Sequence, residues 1–196
     1  MTNPLRDAHR DLTRKRIVDA ALDLLRSGQA GSVTIAEIAA RAGMTERTVY
    51  RHFENREVLM AAVWLAVNDI VKTPALPNTP EALIAQPLTA FPGFDSEEPL
   101  MRTLVMTEEG RALRLSVNDK RKEGMHAAVR AACPGLKEPA FTQICAVVQL
   151  LDSSLAWLSM RDYWGLTGKE AGQAASNAIA ILLNASKAGN PAKWEK

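Results

Sequence analysis

The stretch that most constrains this chain runs from Thr34 to Phe53, TIAEIAARAGMTERTVYRHF. Thr34 and Glu37 have the spacing of a capping box, in which hydroxyl and carboxylate each bond the other residue's backbone N–H. A helix is therefore expected from Ile35, with Ile35, Ile38, Ala39 and Ala42 on one apolar face. Gly43 is the expected stop, because the residue beyond a helix end often takes positive φ, where a Cβ would clash. Thr45 is placed to cap a second helix, with Val49 and Phe53 facing inward. Its other residues, Glu46, Arg47, Thr48, Tyr50, Arg51 and His52, nearly all carry hydrogen-bonding groups. Two short helices joined by such a tight turn are the helix-turn-helix, whose second helix enters a DNA major groove. The competing reading is a pair of core helices with a merely solvated polar face.

The neighbouring residues favour DNA. The run T-V-Y-R-H-F-E-N-R-E-V-L from Thr48 to Leu59, following A-G-M-T, closely resembles the DNA-binding signature of the TetR family of bacterial transcriptional regulators. The resemblance covers about the first 70 residues and continues more weakly as shared architecture. One departure is Arg56, which stands where the family commonly has lysine and keeps the positive charge. The resemblance implies phosphate contacts for Tyr50 and His52. It also implies dimerisation through the last two long helices and a small-molecule effector bound among the C-terminal helices.

At 196 residues and 47% hydrophobic, the chain can bury a core in one or two domains. Aromatic residues make up 5%, and alanine and leucine dominate, which favours helices over strands. No window alternates apolar and polar residues for long enough to suggest a sheet. The expected fold is all-α: an N-terminal three-helix helix-turn-helix domain followed by a helical ligand-binding and dimerisation domain. The net charge of +2 is too small to mark a nucleic-acid binder, but its distribution is informative. Arg6, Arg10, Arg14, Lys15 and Arg16 outnumber Asp7 and Asp11 just before the helix-turn-helix, where a basic arm suits phosphates. A disordered, solvated terminus is the alternative for residues 1–9, and residues 1–12 are expected to be poorly ordered.

Helices are expected from a cap at Asp11 or Thr13 to Arg26 and over residues 35–42, 46–53 and 55–71, the first ended by the S-G-Q-A-G-S stretch at residues 27–32. Six of the ten prolines then fall between Pro74 and Pro99, so this segment is expected to hold only short helical pieces, such as Glu81–Gln86. Further helices are expected from Asp95 or Ser96 to Gly110, and from Arg111 to Ala132 with a solvated basic face of Arg114, Lys120, Arg121, Lys122 and Arg130. One continuous helix of about 25 residues, some 37 Å long, is expected from Glu138 to Trp164. The last is expected from Lys169 to Ser186, before a frayed tail. The domain plan is thus a helix-turn-helix domain over residues 1–54, a connecting helix over 55–72, a proline-rich linker with short helices over 73–99, and a ligand-binding and dimerisation domain over 100–196.

Residue chemistry divides the expected DNA contacts. Arg47 can pair bidentately with guanine and Thr48 can meet a base edge or thymine methyl, so these two, with Glu46, are expected to read sequence. Thr34, Thr45, Tyr50, His52 and Arg56 suit phosphates, and Arg51 is a further expected DNA contact. Candidate pocket residues are Met101, Leu104, Val105, Met106, Met125, Phe141, Leu151 and Trp157, a lining suited to an apolar or aromatic effector. Val147, Leu151, Leu155, Ala171, Ala175, Ala178 and Leu182 are expected between two copies in a homodimer, because small residues let helices approach closely.

No nucleotide loop, G-x-S-x-G elbow, H-E-x-x-H pair or glycine-rich dinucleotide turn is present, so an enzyme is not expected. His9, His52 and His126 lack metal-ligand spacing, and neither metal nor cofactor is expected. Cys133 and Cys145 read as free thiols. Without a signal peptide or an apolar run near 18 residues, the expected location is cytoplasmic, with no membrane partner. The partners expected are double-stranded DNA, a small-molecule effector and a second copy, giving an effector-released repressor on a palindromic operator. A ligand-independent helix-turn-helix or architectural protein is the alternative.

Overall fold

The computed structural model describes residues 4–27, 33–73 and 76–187. The expectations for most of the Ser27–Ser32 stretch and for the C-terminal tail therefore lie outside the described residues. Among these residues there are eleven helices and no strand, the all-α fold expected. The chain divides into two compact units, residues 1–69 with 99–116, and residues 70–98 with 117–196.

In the first unit, α1 (Pro4–Arg26) buries Ile17, Ala21 and Leu25 and packs against α2 (Ile35–Ala42) and α3 (Glu46–His52). It begins well before residue 13, correcting the expected disorder as far as residues 4–12 are concerned. Asp7 lies in its first turn, favourable to the helix dipole. Within the helix, the Thr13 hydroxyl donates to the His9 carbonyl at 2.9 Å. In α4 (Arg56–Ile70), Leu59, Met60, Val63 and Val67 are buried, and Asn55 caps its start by accepting from the Val58 N–H at 2.9 Å. In place of one helix reaching Gly110 and a second unbroken from Arg111 to Ala132, the chain forms α6 (Glu98–Met106) and α7 (Glu108–Ser116), with a further break after Ser116. Thr107 makes the first break: its hydroxyl donates to the Thr103 carbonyl at 2.7 Å and accepts from the Gly110 N–H at 3.1 Å.

The second unit is built on α5 (Pro80–Ser96) and α11 (Gly168–Ser186). The 17 residues of α5 overturn the expectation of short helical pieces, although Pro87 and Pro92 lie inside it. Thr79 caps its start and Pro80 occupies the first turn, where a missing N–H costs nothing. Burial of Leu83, Ala90, Phe91 and Phe94 along one face outweighs the two lost backbone donors. The α11 backbone approaches so closely that a Cβ at Gly172 would lie 2.5 Å from the Pro87 carbonyl oxygen, and one at Gly168 would lie 2.4 Å from that of Phe91. Pairing of 172 with 87 and 168 with 91 makes the two helices antiparallel.

A hairpin of α8 (Asn118–Ala132) and α9 (Ala140–Leu151) completes a core of Leu83, Met125, Val129, Phe141, Ile144, Val148, Ile179 and Leu183. The helix expected to run unbroken to Trp164 stops at Leu151, and α10 (Ser154–Trp164) leaves at 58°. Ser153 causes the break: its hydroxyl donates to the Leu150 carbonyl at 2.6 Å and accepts from the Ala156 N–H at 3.4 Å, capping the new helix. No single described helix is long and apolar enough to cross a membrane.

Candidate nucleic-acid interface

The capping box forms as expected. The Thr34 hydroxyl accepts from the Glu37 N–H at 3.2 Å, and the Glu37 carboxylate accepts from the Thr34 N–H at 2.9 Å. The Thr34 N–H and then the Thr34 hydroxyl, both donating to it, hold the Glu37 carboxyl below its ordinary pKa. Gly43 adopts φ 66°, ψ 40°, the left-handed conformation that a Cβ disfavours. The Met44 N–H then reaches back to the Ala39 carbonyl at 2.9 Å and turns the chain into α3. Thr45 caps α3 by accepting from the Thr48 N–H at 3.3 Å, and the two hydroxyls lie 3.0 Å apart.

Val49 and Phe53, 0% and 1% exposed, anchor the back of α3. Glu46, Arg47, Tyr50 and Arg51 are exposed, and Thr48 and His52 are half-buried. The expected sequence readers Glu46, Arg47 and Thr48 thus sit together on the first turn, with Tyr50 and Arg51 beyond them. The aromatic body of Tyr50 is half exposed while its neighbours at 49 and 53 are shielded, so burial alone does not account for a tyrosine there.

Three arginines have a structural task not visible in the sequence. On α1, Arg14 donates to the His52 carbonyl and lies over the Phe53 ring, its guanidinium carbon 4.1 Å from the centroid. Arg16 donates to the Ala42 carbonyl at 2.9 Å, so α1 supplies a cation to the C-terminal end of both α2 and α3. There the unpaired carbonyls and the helix dipole favour positive charge. Arg56 donates to the Val33 carbonyl at 3.3 Å and braces the chain before α2. Lys15 pairs with Asp19 on α1 at 2.7 Å. The basic cluster before the helix-turn-helix therefore holds it together as well as charging it. Thr34 is also committed, since its N–H and its hydroxyl both donate to Glu37, each at 2.9 Å.

His52 is held below the ordinary histidine pKa, first by burial and then by the charges of Arg51, Arg14, Arg10 and His9. It is neutral at pH 7 and can donate one N–H to a phosphate without adding charge. Its Nδ1 is buried and has no hydrogen-bond partner.

The expected pocket residues are divided between the two units. Met125 and Phe141 share the core of the second unit, with Leu151 packed against it. Trp157 is fully buried elsewhere in that unit, edge-on to Phe94 at 5.7 Å and donating to Asp95 at 2.9 Å. Asp95 also accepts from Arg161 at 3.0 Å and from the Gly168 N–H at 2.6 Å, tying α5 to α10 and α11 through one carboxylate. In the first unit, Met101 and Leu104 are buried and Val105 is half-buried, but Met106 is 72% exposed and lines no interior.

The expected interface residues divide similarly. Ala171 and Ala175 are fully buried within the chain, because the small face of α11 is taken by α5. They are corrected to intrachain packing. Val147 and Leu155 are each 46% exposed, whereas Ala178, Leu182 and Leu151 are half-buried. Leu150 and Ile181, 54% and 69% exposed, add apolar surface to α9 and α11.

Residues 17–63 match the family described as bacterial regulatory proteins, tetR family. The chain is 41% identical over 51 residues to an uncharacterized HTH-type transcriptional regulator, YvkB, of Bacillus subtilis. It is 40% identical over 57 residues to the HTH-type transcriptional regulator SrpR of Pseudomonas putida. These matches cover 26% and 29% of this chain, and each spans only 27% of the relative. A tetR-family transcriptional regulator from Streptomyces coelicolor shares the fold with a TM-score of 0.54 at 23% identity, over 91% of this chain and 83% of that one.

Proposed function

We propose that the chain, whose residues 17–63 match the tetR family of bacterial regulatory proteins, is a DNA-binding transcriptional regulator. In this reading it is a repressor that binds a palindromic operator as a homodimer and is released by a small molecule. The observation that carries the reading is α3 itself. Its back is locked by Val49, Phe53 and Arg14, and its front offers Glu46, Arg47, Thr48, Tyr50 and Arg51 to solvent.

Arg47 and Thr48, with Glu46, read base edges, while Thr45, Tyr50, Arg51 and His52 hold phosphates. Thr34 contributes less, its donors being spent on Glu37. Arg56 positions the chain before α2. Two copies meet through Val147, Leu150, Leu155, Ala178, Ile181 and Leu182, an apolar surface the single chain leaves partly uncovered. Two α3 helices then fall about one turn of DNA apart, roughly 34–36 Å, or a multiple of it. The effector acts by binding the DNA-competent and incompetent states with different affinity.

Selection of genomic fragments by the purified protein, followed by footprinting at near-physiological salt, tests the reading. A protected, roughly palindromic site is expected. Weak binding without sequence preference would replace it with the architectural alternative. Sedimentation should give twice the 21.4 kDa chain mass, and a monomer at micromolar concentration would remove the dimer.

A further inference from the structure

Two side-chain oxygens in the second unit are shielded from solvent and accept no hydrogen bond: Oε1 of Gln86 on α5, and Oδ1 of Asp152 between α9 and α10. Each residue is 6% exposed. An unsatisfied buried acceptor costs about 1–3 kcal/mol, and a charged one more, so a purely structural core would fill such positions with apolar groups.

Asp152 has the more developed setting. The seam between α8 and α9 is apolar where Met125, Ala128 and Val129 share a core with Ile144, Cys145 and Val148. Toward the end of α9 the seam turns polar, and Gln149 Nε2 donates to Asn118 Oδ1 at 2.8 Å. One helical turn past the Met125 and Val148 end of the apolar seam stand Arg121 on α8 and Asp152 after α9. The Arg121 charge acts on the Asp152 carboxyl against the effect of burial, yet Oδ1 takes none of its N–H groups. Arg121 is itself partly buried rather than on the solvated face expected for it. The backbone fixes the carboxyl in place, because Asp152 closes α9 through its N–H to the Val148 carbonyl at 2.9 Å and Ser153 opens α10. Ser153 and Ser154 are buried beside it.

We propose that Asp152 and Arg121 form the polar anchor of the effector site, and that the effector is an uncharged molecule whose hydroxyl or amide donates to Asp152 and accepts from Arg121. A cationic group would face Arg121 and an anionic one would face the Asp152 carboxyl; an uncharged donor–acceptor group completes both. The requirement for a donor follows from Asp152 Oδ1, the unpartnered acceptor at this site. This inference rests on the effector-responsive reading above and narrows its apolar or aromatic effector to one with a polar end.

Calorimetric titration of the full chain with benzyl alcohol and benzamide, and with benzylamine and benzoate as charged probes of similar size, tests it. Saturable binding of an uncharged probe is expected, at least about tenfold tighter than either charged one. Arg121→Met, at a partly exposed position, and Asp152→Leu, an apolar replacement of similar volume, should each weaken that binding about tenfold or more. No saturable binding of either uncharged probe, equal binding by both variants, or preference for a charged probe would overturn the anchor. Release of the footprinted operator is measured separately. Binding that needs both residues without release upholds the anchor and defeats the effector reading; release by a probe that binds both variants unchanged does the reverse.

Discussion

Arg14 covers the ring of Phe53 and donates to the carbonyl of His52, so a single α1 side chain closes the C-terminal end of α3. The stack contributes about 0.5–1 kcal/mol, and a charged hydrogen bond to a carbonyl about 1.5–3 kcal/mol. Arg14→Met keeps the apolar stem and removes both contacts. We expect it to lower the stability of the first unit by about 2 kcal/mol, read as faster amide exchange at Val49 and Phe53. Operator affinity should fall for every sequence alike, because α3 loses its support rather than a base contact. A change in site preference would show instead that Arg14 reads bases.

Arg47 and Tyr50 separate the two kinds of contact assigned to α3. Arg47→Ala should weaken operator binding by about 1–3 kcal/mol and relax one base position. Tyr50→Phe removes a single hydroxyl from an exposed ring and should weaken all sequences equally. Footprint selection with each variant checks both. An unchanged preference for Arg47→Ala, or a selective loss for Tyr50→Phe, would exchange their roles.

The helix-turn-helix was legible because its determinants are local. Thr34 with Glu37, Gly43 and Thr45 fix both helix starts and the turn through bonds spanning six residues or fewer. The errors lie where tertiary contacts outvote local preference. Pro87 and Pro92 argue against a helix, but α11 rewards one by burying Pro87, Phe91 and their neighbours. Ser153 looks harmless within an apolar stripe, yet its hydroxyl can end one helix and begin the next. Ala171 and Ala175 signalled close helix packing correctly, but spacing could not say that the partner was α5 of the same chain. Arg14 and Arg16 read as phosphate ligands because nothing in sequence shows that helix ends 26 and 38 residues away need a cation.

The same close packing leaves no room for a side chain at Gly172 of α11. A Cβ there would stand 2.5 Å from the Pro87 carbonyl oxygen, and backbone on both sides cannot rotate away. Gly172→Ala should cost about 1–3 kcal/mol despite the better helix propensity of alanine. Gly135 provides the control, since an added Cβ meets nothing within 4 Å. A lower melting temperature for Gly172→Ala beside an unchanged Gly135→Ala checks the α5–α11 approach, and two unchanged melts would refute it.

Asp152 makes stability depend on pH in a direction opposite to most carboxylates. Burial raises its pKa from 3.8 to about 7, with the Arg121 charge opposing the rise. In the unfolded chain the proton leaves near 3.8, whereas the folded protein retains it to about 7. Folding therefore takes up a proton between these values. The contribution is fully present below about pH 4, declines as pH rises, and is lost above about pH 7. A shift of about three units corresponds to roughly 4 kcal/mol at most, and relaxation around the carboxyl makes about 2–4 kcal/mol the expected range. Asp152→Asn retains the shape and cannot ionise. Its melting temperature should match the parent near pH 4 and exceed it progressively up to pH 8. Other carboxylates and His52 titrate in both proteins alike, so the difference between the two melting curves isolates Asp152. A constant difference across that range would mean that this carboxyl has the same pKa in the folded and unfolded chain.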